Sequence, residues 1–209
     1  HPYWRYCSLM SDRSPLKLGV LLSGRGSNMK AILENCLSGK LNARIELVIS
    51  NKEDAGGLAI AKKHNIPAIH ISPQSFETKD DYELKIVSEL QSYQPDLIIL
   101  AGYMKIVGSP LLEAFPNQIL NIHPSLLPKF KGLNAQKQAL ASGESESGCT
   151  VHWVDESLDG GPIISQESVP ILDNDTEESL SQRILEKEHL LYSKVIESYY
   201  QKRIERKKR

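Results

Sequence analysis

Short apolar runs alternating with helical patterns constrain this chain more than any other feature. Leu97-Ile98-Ile99-Leu100-Ala101-Gly102 is the clearest run, and residues 17–22 and 45–50 are of the same kind. A strand with no polar face needs cover on both sides, as strands of a parallel sheet have. Between these runs lie stretches with helical spacing. They are Met29, Ile32, Leu33 and Cys36 before Gly39, then residues 58–62, then Tyr82, Ile86, Val87 and Leu90 within 80–93. Residues 66–71 read as a third, shorter strand, Pro110 can open a helix at its first turn, and 119–121 form a fifth strand. Repeated βαβ units predict an α/β fold, a Rossmann-like open and mostly parallel sheet with helices on both faces.

The texture changes from Gly132. A helix over 135–141 is followed by 149–154, which alternates like a half-exposed strand. Gly160-Gly161-Pro162 is a sharp turn, and 163–169 is a further strand. These two strands predict an antiparallel pair near the C-terminal side. Residues 176–200 read as a long helix with Thr176 as N-cap and Glu177 and Glu178 in the first turn. Residues 201–209 read as a solvated basic tail. Residues 1–16 read as an unstructured extension or a cloning remnant, which leaves one domain over 17–200.

Composition narrows the function. A 40% apolar content over 209 residues suffices for one sizeable core. The net charge of -1 gives no global field toward nucleic acid or an acidic membrane, so neither is expected as a partner. No apolar run approaches the roughly 20 residues of a membrane span. Cys7, Cys36 and Cys149 are an odd set without paired spacing, which points to a reducing, cytoplasmic setting. Cys149, His152, His123 and Asp159 lack the paired ligand spacing of a zinc site, so no metal is expected.

In open α/β sheets, ligands sit beyond the carboxyl ends of the strands. Three features of this sequence fall there. Gly24-Arg25-Gly26-Ser27-Asn28 lies between the first strand and first helix, where backbone N–H groups and the helix start suit a phosphate monoester. It is neither a Walker A loop nor a full dinucleotide fingerprint, and a plain tight turn would use the same glycines. Asn121 and His123, in Asn121-Ile122-His123-Pro124-Ser125-Leu126-Leu127-Pro128, project to one face of an extended segment. An amide donor beside an imidazole suits transfer at a carbonyl carbon, where an oxyanion is held and protons move. Asp159 precedes a Gly-Gly turn. It is either turn chemistry or, if its loop folds over His123, the group that orients the ring.

These motifs, together with Ser50-Asn51-Lys52, Leu100-Ala101-Gly102-Tyr103-Met104 and Leu158-Asp159-Gly160-Gly161-Pro162, occur in the order found in one family. Over residues 17–200 the chain resembles the phosphoribosylglycinamide formyltransferases, a folate-dependent branch of the formyltransferase superfamily. The resemblance implies formyl transfer from 10-formyltetrahydrofolate, a co-substrate, to the amine of glycinamide ribonucleotide, with small-molecule substrates only. It implies Asn121, His123 and Asp159 as the catalytic set, and Gly26, Ser27 and Asn28 around the nucleotide phosphate. Glu188 would bind the glycinamide portion. Lys79, Met104, Lys105, Ile106 and Val107 would line the folate pocket, with Asn121 at the formyl end. A monomer or weak homodimer is expected.

Lys79 and Lys105 stand where arginine is frequent in the family, which removes the planar two-pronged contact to a carboxylate. Asn134-Ala135-Gln136 replaces a histidine-bearing segment. A formyltetrahydrofolate hydrolase would use the same three groups on water, with an additional N-terminal domain. A methionyl-tRNA formyltransferase would add a C-terminal one. A non-catalytic nucleotide-binding module would leave Asn121, His123 and Asp159 incidental.

Overall fold

The computed structural model describes residues 13–208. Among the described residues seven strands form one sheet: β1 (Leu16–Leu22), β2 (Ala43–Ser50), β3 (Ala68–His70), β4 (Leu97–Leu100), β5 (Ile119–His123), β6 (Glu146–Trp153) and β7 (Ile163–Pro170). Their order is β3-β2-β1-β4-β5-β6-β7. The first five pair in parallel, while β5/β6 and β6/β7 are antiparallel. The helices are α1 (Ser27–Leu37), α2 (Gly56–Lys63), α3 (Lys79–Gln91), α4 (Ser109–Ala114), α5 (Ala135–Ser142) and α6 (Glu177–Lys207).

Strand periodicity sorts the core into two layers. Leu18, Val20, Leu22, Leu97 and Ile99 face α1, α2, α5 and α6, whereas Leu21, Ile98 and Leu100 face α3 and α4. Gly19 is needed for the second layer, because a Cβ there would lie 2.6 Å from Leu90 Cδ2 of α3. Tyr192 of α6 is fully buried, and its hydroxyl lies 2.8 Å from Leu100 O and 3.0 Å from Leu120 O. It thereby ties the long helix to the middle of the sheet.

Two expectations are corrected. Residues 149–152 are not half exposed, since β6 is buried from Ser147 to His152, and only Trp153 and Val154 are partly open. Cys149 and Val151 pack into the layer under α6. The opposite face is roofed by the segment after β5, where Leu127 N–H donates to Thr150 Oγ1 at 3.1 Å. The sequence shows alternation but not this second cover. The basic end is also not a free tail, because α6 runs on to Lys207. Arg203 pairs with Asp96 at 3.5 Å, stacks on the Tyr200 ring and donates to Ser14 O. At the other end, the expected extension falls mostly on residues 1–12, outside the described residues, and Leu16 already belongs to β1.

Candidate active site

The site forms at the carboxyl ends of β1, β4 and β5. Between β1 and β4 the chain reverses its direction of growth across the sheet, which opens a crevice there. The loop after β1 is held open by glycine. Gly26 caps α1 at φ 78°, and a Cβ on it would lie 2.6 Å from Gly57 Cα. Gly57 N–H donates to Gly24 O at 3.1 Å, so the start of α2 clamps the loop from behind. The first helical bond of α1 is Lys30 N–H to Gly26 O at 2.8 Å, so the N–H groups of Ser27, Asn28 and Met29 have no intrahelical acceptor. Gly56-Gly57 is a requirement that motif reading missed. An adjacent Gly pair opening a helix is its only sequence signal.

Asn28 and Glu188 meet beside this loop. Asn28 Nδ2 donates to Glu188 Oε2 at 3.4 Å, and Asn28 Oδ1 is buried with no partner among the described residues. Burial pushes the Glu188 carboxyl up to about 7, against the hydrogen bond from Asn28 that lowers it. Buried acceptors gathered in this way suit a ligand that brings donors, such as an amine.

On β5, Asn121 and His123 share a face as expected, and antiparallel pairing puts His152 opposite Asn121 and Thr150 opposite His123. The loop after β6 folds over them. His123 Nδ1 lies 3.5 Å from Asp159 Oδ2, and the two side chains are 8% and 9% exposed. Asp159 is therefore a partner of the ring and more than a turn residue. It holds φ 50°, a left-handed conformation that aspartate tolerates. Gly161 lets the loop approach, since a Cβ there would fall 1.9 Å from Trp153 O.

A second loop closes the same centre. His123 Nε2 lies 2.8 Å from Phe130 O, a pure acceptor, so Nε2 carries the hydrogen and donates. Gly132 N–H donates to Asp159 Oδ2 at 2.8 Å, so each loop braces the other. Sequence reading missed Phe130 and Gly132, because both act through the backbone.

The residues assigned to the folate divide. Met104 and Ile106 are 66% and 61% exposed and form an apolar wall, while Val107 is buried against α3 and α4 and offers only its backbone. Lys105 Nζ sits 5.7 Å from the centre of the Tyr82 ring. Lys79 Nζ is 3.9 Å from Glu83, a buried carboxylate that accepts Gly108 N–H at 2.8 Å. A crevice of about 400 Å³ opens beside this wall, lined by Asn51, Lys52, His70, Gln74, Met104 and Lys105 among others. Ser23 Oγ donates to Asn51 Oδ1 at 2.5 Å and accepts Met104 N–H at 2.8 Å, which joins the ends of β1, β2 and β4. No group of three or more potential metal ligands occurs among the described residues.

A family profile described as formyl transferase matches residues 16–196. A phosphoribosylglycinamide formyltransferase of Haemophilus influenzae is 44% identical over 188 residues, covering 90% of this chain and 89% of the relative. The trifunctional purine biosynthetic protein adenosine-3 of Chironomus tentans is 45% identical over 182 residues. That match covers 86% of this chain but only 13% of the relative's length. The crystal structure of glycinamide ribonucleotide transformylase 1 from Symbiobacterium toebii superposes with a TM-score of 0.88 at 46% identity, covering 90% of this chain and 89% of that one. The paired loops over His123 thus stand on a shared fold, and the chain belongs to the formyl transferase family.

Proposed function

We propose that this chain transfers the formyl group of 10-formyltetrahydrofolate to the amine of 5'-phosphoribosylglycinamide, giving N-formylglycinamide ribonucleotide in de novo purine biosynthesis. The observation that carries the reading is the closure of Asp159 on His123, 3.5 Å away, on the strand face that also presents Asn121. In this reading the N–H groups at the start of α1 hold the phosphate. Glu188 and Asn28 Oδ1 accept from the glycinamide end, and Met104, Lys105 and Ile106 support the folate.

The chemistry follows from these positions. The amine lone pair attacks the formyl carbon, a C–N bond forms, and the carbonyl electron pair moves to oxygen. Asn121 faces the negative charge that develops there; His123 joins it once its Nε2–H turns from Phe130 O to the substrate, and Asp159 holds the ring through Nδ1 and stabilises positive charge on it. A donor aimed at such an oxyanion contributes on the order of 3 kcal/mol. The proton leaving the attacking nitrogen passes through His123 to N10 of the folate. An electron pair on the oxyanion then re-forms the C=O bond as the C–N10 bond breaks with its pair on N10, which leaves the formamide while tetrahydrofolate departs. Holding amine and formyl carbon together in one crevice supplies a further large share of the acceleration.

The test is the absorbance of the folate after mixing protein and 10-formyltetrahydrofolate, with and without the nucleotide. Release of tetrahydrofolate only with the nucleotide supports transfer. Release without it assigns a hydrolase instead, and release in neither arm removes the reading. In the same assay His123→Ala lowers kcat by roughly several hundred-fold while the melting temperature stays within a few degrees.

A further inference from the structure

His152 is a buried histidine that the reaction above does not use. It is 2% exposed and stands directly opposite Asn121 in the β5/β6 pair. Its Nδ1 lies 2.9 Å from Trp153 O, and a carbonyl only accepts, so Nδ1 carries the ring hydrogen. Nε2 is then a lone pair, 3.3 Å from Asn121 Nδ2. An asparagine side chain has one donating and one accepting end, and only the donating end can face a lone pair.

We propose that His152 is a positioning residue for formyl transfer, its Nε2 lone pair accepting from Asn121 Nδ2 and so fixing which way that amide faces. Held through one N–H, the amide keeps its second N–H for the oxyanion. Rotated by half a turn, it would present Oδ1 to a developing negative charge and oppose the reaction it should assist. Burial favours the arrangement, because desolvation pushes the His152 ring toward its neutral form, in which Nε2 remains an acceptor. Asp159, with Oδ1 4.0 Å from Nε2, and Asp155 favour the charged ring, and His123 opposes it. The inference rests on the function proposed above.

Two near-isosteric replacements separate positioning from packing. In His152→Gln the carbonyl can reach Asn121 in place of Nε2, whereas in His152→Asn the shorter amide can replace only the bond to Trp153 O. His152→Gln is expected to keep kcat within about fivefold, and His152→Asn to lose about tenfold or more, with both KM values within about twofold. In an Asn121→Ala background, His152→Asn should change kcat by less than about twofold, since nothing remains to position. A destabilised fold would carry its penalty into that background, so the cycle decides even if His152→Asn folds less well. Equal losses in the two replacements, or full multiplication of the effects, would falsify the proposal. Wild-type protein that transfers no formyl group would instead overturn the function on which it rests.

Discussion

Glu188 is a carboxylate almost without water, 6% exposed beside Asn28, and its chemistry follows from that. Burial raises it from 4.5 to about 7, so between these values the folded protein holds a proton that the unfolded chain has released. The stability contributed is fully present below about 4.5 and lost as pH rises through about 7. Glu188→Gln removes this dependence. Relative to wild type the variant should gain stability above neutrality, by on the order of 3 kcal/mol at most, and little in acid. Urea unfolding at about pH 5 and pH 8.5 measures the difference. An equal gap between the two proteins at both values would show that Glu188 does not titrate in this range.

Among the elements, α3 shapes the segment that carries the exposed Met104 and Ile106, although none of its own residues belongs to that segment. Tyr82 Oη is 3.0 Å from Tyr103 Oη, its ring lies under Lys105, and Glu83 binds the N–H of Gly108 ahead of α4. Glu83→Ala would take away the acceptor of the part-buried Gly108 N–H and of the buried Leu111 N–H, 3.4 Å from Glu83 Oε1, and free Lys79. The expected cost is about 1–3 kcal/mol in chemical unfolding, with a larger rise in KM for the folate than for the nucleotide. Equal KM changes would confine Glu83 to stability. In the sequence Glu83 reads as one polar residue of an amphipathic helix, and nothing in its spacing marks it as buried. The strands were legible because Leu97 to Leu100 and Leu18 to Leu22 leave no polar face, and the Asn121/His123 pair was legible because a strand repeats every two residues. His152, Phe130 and Gly132 were not, since their roles arise from cross-strand pairing and backbone atoms that only the folded loops bring together.

Across the whole molecule, α6 joins both ends of the described chain to the sheet. Tyr200 Oη donates to Arg13 O at 3.1 Å, Arg203 bonds Ser14 O and Asp96, and Ile204 packs on the core. Ending the protein after Tyr200 should therefore lower its melting temperature by several degrees, at about 2–4 °C per kcal/mol for a chain of this size. Formyl transfer per folded molecule at 25 °C should be unchanged. A calorimetric scan with no shift would return residues 201–208 to the status of a solvated tail.

The margins of the sheet carry a last consequence. One margin is β3, only three residues long, and the other is β7, which bears Glu167 and ends in Pro170. A short strand offers few unpaired backbone groups to a stranger, and proline has no N–H to give at the last position of β7. The strands that cradle the reaction are thus flanked on the β3 side by a poor template, which guards that margin against edge-to-edge aggregation in a crowded solution.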